Sequence, residues 1–468
     1  MKKRTLILTI IAIVLLLIST SCESSSGNSK QTEEKKKEKI SVQKANESDR
    51  SSSEDKENTE PSSSEKEENA SEDTTEKSET PSETEKKPEE TPKTEEKTSP
   101  KTPGVQTQIY SKVITQTAAL KKPADTARQT AIDYMTKMAT GVKWTPVRQI
   151  HTKNSVVDLY YYPGTYYLGL PYINTNDENS DSSFEKFLNY LTFDSSSNAY
   201  KYPDAYDFAS THGNDCSSAV FLSWKNVDPD VKAINTHSVF PIETVGNPNK
   251  VYLVGSLKTN NLKATKEIIA LNKAQEVFEC YAAAKAGDGI ITHDASGHMR
   301  MIVKNPTVVR NKDNTIDSSK SYVITTEQTN QFDSHRKDIK TTWWVEHKYT
   351  FDKLKSTGYL PVTCKGLDKT LETPKLQMTG ANTNMTSGTL TGKIECNYSL
   401  NKITLEIKDK SNGNIVLTKS SFPSSFTFDV SACRYSIPKL ADGKYIYTVY
   451  CTTACGVAEA YCLEFELG

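Results

Sequence analysis

Between residues 23 and 104 the chain has no leucine and no aromatic residue, and that absence limits what it can fold into more than any other feature. The stretch is built almost entirely from Ser, Thr, Glu, Lys, Pro, Asn and Gln. It offers too little apolar surface to offset the entropy lost on ordering a chain, so it reads as a disordered tether. About 23 acidic and 15 basic residues are interspersed through it rather than grouped in blocks. That pattern suits a solvated spacer and speaks against a nucleic-acid arm. As a flexible coil of about 80 residues it would span on the order of 50 Å. The net charge of −1 for the whole chain hides the division, because the residues beyond the tether are weakly basic.

Ahead of the tether stand Lys2, Lys3 and Arg4, an apolar run over residues 6–18, and the small residues Ser19, Thr20 and Ser21 before Cys22. An apolar core this short, ending at small residues, is an export signal and not a spanning helix. The residues leading to Cys22 resemble a bacterial lipoprotein signal. The resemblance implies a lipidated Cys22 and a membrane-anchored protein outside the cytoplasm, with ordinary secretion as the alternative.

About 360 residues remain, enough for two domains with cores of their own. Residues 105–143 read as helical, with Pro123-Ala124-Asp125-Thr126 as a helix start and Ala127, Ile132, Met135 and Met138 near helical spacing. A short helix is expected over 184–191, another from Cys216 with Ala219, Val220, Trp224 and Val227 as its buried stripe, and a mostly helical stretch over 262–284 with 266–278 as its core. Strands are expected at 251–254, 287–292, 298–303, 322–326 and 343–345. Helices followed by a strand meander define an α+β domain over 105–370. Beyond Pro374 the texture changes to short alternating strands separated by turns, as in an immunoglobulin-like β-sandwich over 374–468. Five of the nine cysteines fall in that last part, where one or two disulfides are possible but not assignable.

The chemistry centres on Gly213-Asn214-Asp215-Cys216-Ser217-Ser218. A thiol at a helix start meets unpaired backbone N–H groups and a partial positive charge, both of which favour thiolate. Gly297-His298 opens an apolar strand further on and offers a base, with His293 as its rival at the other end of the same hairpin. A buried structural cysteine is the bland alternative for Cys216.

Asp-Cys-Ser at a helix start, then Ala286-Gly287-Asp288 opening a strand, then Gly-His before another, resembles the NlpC-type branch of papain-like cysteine peptidases. Most members of that family cut peptide stems of the bacterial cell wall. The resemblance implies Cys216 as nucleophile, His298 as base and a polar residue on the next strand to orient the imidazole. Glu327 is the candidate for that third position and Gln328 its substitute. Gly169-Leu170-Pro171-Tyr172 is similar to the family's Pro-Tyr element, which implies that Tyr172 lines the substrate cleft. The backbone N–H of Cys216 would serve an oxyanion site.

No Cys-x-x-Cys or His-Glu-x-x-His pattern is present, so neither a metal nor another cofactor is expected. The paired Trp343 and Trp344 read as core rather than as a glycan platform. The expected partner is peptidoglycan or another envelope peptide, with the membrane reached through the lipid anchor and no nucleic acid. The activity implied is amide cleavage in stem peptides through a thioester. Cleavage between glycan and peptide, or a noncatalytic envelope-binding or adhesin lipoprotein, are the alternatives.

Overall fold

The computed structural model describes residues 106–468 except 115–119, 124, 154, 174–182, 204–211, 234, 243–248 and 295. The export signal, Cys22 and the tether lie outside the described residues. Among the described residues no helix is long and apolar enough to cross a membrane.

A six-stranded antiparallel sheet carries the candidate chemistry. Its order is Trp343–Thr350, Tyr322–Gln328, Gly297–Thr307, Gly289–His293, Leu360–Cys364 and Val251–Leu253. Alternation along Gly297–Thr307 divides its residues between two faces. Met299 and Met301 are fully buried on one, and His298 and Arg300 share the other. The helix Cys216–Lys225 packs against this strand, and its fully buried Trp224 donates Nε1–H to Gly287 O at 2.8 Å. Each fully buried Met or comparable apolar side chain here contributes about 1.5–3 kcal/mol.

Beside it lies the helix Ala127–Thr140, capped by the Thr126 hydroxyl, which accepts from Gln129 N. Ala127, Ala131, Met135 and Met138 form its buried stripe. The two helices meet through sulfur contacts: Ser223 Oγ on Met135 Sδ, and Asn214 Nδ2 on Met138 Sδ. Arg128, in the first turn, donates to the buried Asp288 carboxylate at 2.8 Å. That ion pair pins the Ala286-Gly287-Asp288 turn just before the strand Gly289–His293.

The strand Lys143–Pro146 joins a small mixed sheet with Tyr167–Leu168, Ala199–Tyr202 and Thr192–Asp194. Trp144, Tyr161, Tyr167, Phe187 and Tyr202 pack there as a buried aromatic cluster.

The last part of the chain contributes two antiparallel sheets. One is ordered Gln108–Val113, Gly456–Leu467, Gly443–Thr453, Lys402–Asp409, Ile415–Ser421, and the other Leu376–Thr379, Lys393–Leu400, Ser425–Asp429. Ile394, Leu405, Val449 and Phe465 are buried in them.

Two expectations are corrected. Residues 108–113 form a strand, not a helix, and pair with Gly456–Leu467 in the register Ser111↔Phe465 and Val113↔Leu463. Ile109, Tyr110 and Val113 suit a pleated edge, and the partner strand is too distant in sequence for local spacing to reveal. The 105–370 segment therefore gives its first strand to the C-terminal sheets, and the described residues of both parts belong to one compact unit. They are joined by a buried bond from Asn401 Nδ2 to Asn226 Oδ1 at 2.9 Å. The helix expected over 266–278 is two helices, Thr265–Leu271 and Ala274–Ala283, because Asn272 turns to an extended conformation and commits its side chain to Ile268 O and the Lys258 backbone. The eight described cysteines are all free, so no disulfide braces the terminal sheets.

Candidate active site

Cys216 is the first residue of its helix, and the sequence around it explains why the helix begins there. Asp215 accepts from Ser217 N at 2.9 Å and Ser218 N at 2.8 Å, while Ser218 Oγ accepts from Asp215 N at 2.9 Å. This reciprocal cap satisfies two of the unpaired donors of the first turn. Ser217 Oγ also donates to Asp215, which makes it a helix-start residue. Among the described residues no hydrogen bond engages the Cys216 backbone N–H, so that donor remains available to an incoming oxygen.

The approach to the helix is set by backbone. Asn214 N donates to Pro171 O and Ile173 N donates to Asn214 O, a parallel bridge opposite Tyr172. Gly213 has φ +145, and a Cβ there would overlap Pro171 O. Only glycine permits this approach. Tyr172 is 4 % exposed. Its side chain is buried and is not an open cleft wall, while its backbone is bridged to Asn214.

His298 follows a glycine for a comparable reason. A Cβ at Gly297 would land on Thr236 Oγ1. The bare Cα lets the short helix Thr236–Ser238 close against the start of the histidine strand. The imidazole lies beside the Cys216 side chain and is hydrogen-bonded through Nε2 to Glu327 Oε2 at 2.5 Å. With Nε2 so held, Nδ1 is the nitrogen left for the thiol.

Glu327 is 1 % exposed and fully engaged. Its Oε2 also accepts from Arg300 Nε at 2.8 Å, and Oε1 accepts from Tyr349 OH at 2.6 Å. Gln328 turns the other way, donating Nε2–H to Leu170 O alongside the fully buried Trp343. The structure thus brings Cys216, His298 and Glu327 together and leaves Gln328 out. His293 faces His237 and Phe240, at ring-centroid distances of 4.4 and 5.8 Å.

The electrostatics follow from these contacts. Burial works against the His298 imidazolium, but Cys216 and Glu327 beside it outweigh burial and push its pKa up to about 10. Burial likewise disfavours the Glu327 carboxylate, and hydrogen bonding and charge from His298, with Arg300 and Tyr349, overcome it and hold it down to about 2. The arrangement favours a protonated His298 imidazole beside the ionised Glu327 carboxylate. Burial pushes the thiols of Cys280 and Cys364 up, so they are poor nucleophiles.

Sequence reasoning missed Arg300, Tyr349 and Tyr359. The Arg300 guanidinium lies between the two tyrosine rings, 3.9 Å and 4.1 Å from their centroids, and donates Nη2–H to Tyr359 OH at 2.9 Å. Arg300 was within reach of the pattern, since a residue two beyond His298 on a strand shares its face. Beyond this stack opens a cavity of about 300 Å³ lined by Lys266, Asp294, Arg300, Tyr349, Lys353 and Tyr359, among others. Lys266 is paired with Asp294 at 3.4 Å, whereas the Lys353 ammonium has no acidic partner among the described residues. Tyr359 also packs edge-on to His298 at 6.3 Å, so the cationic cavity adjoins the imidazole.

No family model, curated protein or solved structure matches the chain. The functional reading therefore stands on the residues themselves.

Proposed function

We propose that this chain is an envelope-anchored cysteine hydrolase that cleaves amide bonds in the peptide stems of peptidoglycan, with a papain-like catalytic part and an immunoglobulin-like sandwich behind it. The observation that carries the reading is the His298 imidazole held between Cys216 and the buried Glu327. Nucleophile, base and base-orienting acceptor are thereby in line.

In the forward step the Cys216 thiolate attacks the amide carbonyl carbon and the C–S bond forms. The carbonyl oxygen takes the negative charge and meets the Cys216 N–H at the helix start. As the C–N bond breaks, the His298 imidazolium gives its proton to the leaving nitrogen, and a thioester remains. Neutral His298 then takes a proton from water as the water attacks the thioester. Collapse releases a carboxylic acid and returns the thiolate–imidazolium pair. Glu327 holds the ring through both proton transfers, and Arg300 and Tyr349 hold Glu327.

Two observations support an envelope peptide as substrate. The basic, apolar and small-residue run before Cys22 and the polar stretch after it support a folded part outside the cytoplasm, and the cationic cavity that shares Tyr359 with the imidazole suits a chain that bears a carboxylate next to the scissile bond.

The test is a digest of purified peptidoglycan by the full chain and by its Cys216→Ala variant, with the released fragments analysed for new amino termini. The expected result is new stem-peptide amino termini with the parent protein and none with the variant. Turnover retained by Cys216→Ala overturns the mechanism. Amino termini appearing only at the glycan-proximal residue move the cleaved bond to the amidase position.

A further inference from the structure

The segment between the strands Tyr322–Gln328 and Trp343–Thr350 carries Asp333 and His335, and the second strand carries His347. The three side chains follow no familiar metal-binding spacing, yet their ligand atoms all lie within 4.8 Å of one another. Asp333 Oδ1 is 3.1 Å from His335 Nδ1, and Asp333 Oδ2 is 3.5 Å from His347 Nε2. Tetrahedral coordination with bonds of about 2.0–2.1 Å places neighbouring ligand atoms roughly 3.3 Å apart. The two Asp333–imidazole separations, one to each carboxylate oxygen, lie within a few tenths of an ångström of that, and the three ligand atoms as a set lie within 4.8 Å.

The charge balance points the same way. The Asp333 side chain is 3 % exposed, and among the described residues it forms no ion pair with lysine or arginine. Its companions are the two imidazoles and the His335 backbone N–H at 2.9 Å. Arg336, the nearest arginine in sequence, is paired with Asp338. Arg336 acts on Asp333 through charge but makes no ion pair with it, and a divalent ion would give the buried carboxylate a directly coordinated countercharge.

A third observation concerns the backbone. Thr325 pairs with His347 and Glu327 with Trp344, so Val345 and Glu346 together oppose only Thr326. Glu346 takes φ +57, a conformation that side-chain-bearing residues rarely adopt. On an unbroken strand Trp344 and His347, three apart, would face opposite sides. The bulge returns them to one side, with rings 4.9 Å apart, and thereby aims His347 at Asp333.

We propose that Asp333, His335 and His347 bind a divalent cation of the zinc class, with two nitrogen ligands, one carboxylate and a fourth position open to water. The ion ties the 329–342 segment to the edge strand whose Tyr349 holds Glu327. This site is independent of the hydrolase reading and was not expected from the sequence.

The experiment uses the full chain without affinity histidines and with Cys216→Ser, so that the thiol does not compete for metal. Titration with Co²⁺ should give stoichiometric uptake with the visible bands of a tetrahedral site, displaced by Zn²⁺. Trp344 lies against His347, so Co²⁺ should also quench tryptophan fluorescence, and Trp344→Phe should reduce the quench while leaving the bands. His335 is 71 % exposed at its side chain, so His335→Ala removes a ligand without disturbing a core, and the bands should be lost. His347→Ala should lose them as well. Absence of saturable uptake, or uptake that survives both histidine changes, overturns the proposal.

Discussion

His298 and Arg300 both bond to one oxygen of Glu327, Oε2, at 2.5 and 2.8 Å. Two residues apart on one strand, they share a face and therefore a carboxylate. Arg300 is thus a positioning residue, which holds Glu327 without touching the reacting atoms. Arg300→Met leaves Oε2 without one charge-assisted bond, and a loss of about 1.5–3 kcal/mol is expected in urea unfolding. Arg300→Lys restores the charge but not the planar fork, and should recover only part of the loss. Equal stability of all three proteins would contradict the assignment.

The stability of the fold should depend on pH in a defined sense. His298 is raised from 6.5 to about 10, so its contribution is complete below 6.5 and is lost as pH climbs through about 10. Glu327 is lowered from 4.5 to about 2, so its contribution is complete above 4.5 and is lost as pH falls toward 2. Both act in full between about 4.5 and 6.5. Urea unfolding across pH should find the contribution of this pair greatest there. Cys216→Ala removes a neighbour that raises His298, and should draw the alkaline decline to lower pH. An unchanged alkaline limb would refute the coupling.

Thiol reactivity should single out Cys216. Alkylation at neutral pH followed by mass spectrometry is expected to mark it well ahead of Cys280 and Cys364, which burial holds as thiols. In Glu327→Gln the imidazolium loses a stabilising carboxylate, so the rate of Cys216 alkylation at neutral pH should fall. Labelling of Cys216 no faster than Cys364 would remove the basis for a nucleophile.

Gly297→Ala places a methyl group on Thr236 Oγ1. Shifting the start of the histidine strand by about 1 Å is expected to cost on the order of 100-fold in kcat/KM. The second change Thr236→Ala should return much of it, because the obstacle is then gone. A Gly297→Ala protein with full activity would show that close packing here does not position the imidazole.

Lys353 brings an ammonium without an acidic partner among the described residues to the cavity beside His298. Lys353→Ala should raise KM for substrates that carry a carboxylate next to the scissile bond and leave kcat nearly unchanged. Its effect should vanish for the corresponding amides. Equal KM changes for acid and amide substrates would assign the residue to general packing.

Cys216, His298 and Glu327 could be read from sequence because each sits at the end of an element. Helix and strand ends carry local marks: Asp and Ser around the thiol, glycine before the histidine, an apolar run before the glutamate. Arg300, Tyr349 and Tyr359 meet only through strand register and ring stacking, which no local spacing encodes. Tyr172 was legible as a motif residue but not as a buried side chain whose backbone is bridged to Asn214. The Asp333, His335 and His347 cluster depends on a bulge at Glu346, whose positive φ falls on a residue that gives no warning of it. Strand 108–113 escapes a local reading because its partner is more than three hundred residues away.

That distant pairing carries a kinetic meaning. Thr107 and Gly468 exchange backbone hydrogen bonds at 3.1 Å in each direction, so the chain at residue 107 is stitched to the margin of the terminal sheet. Closing so long a loop is an entropic toll that precedes any return from its contacts. The terminal sheet gains its edge strand only after Gly456–Leu467 has been made. A nascent chain therefore emerges with its amino-terminal strand unpartnered, and synthesis of the final hairpin acts as the clasp.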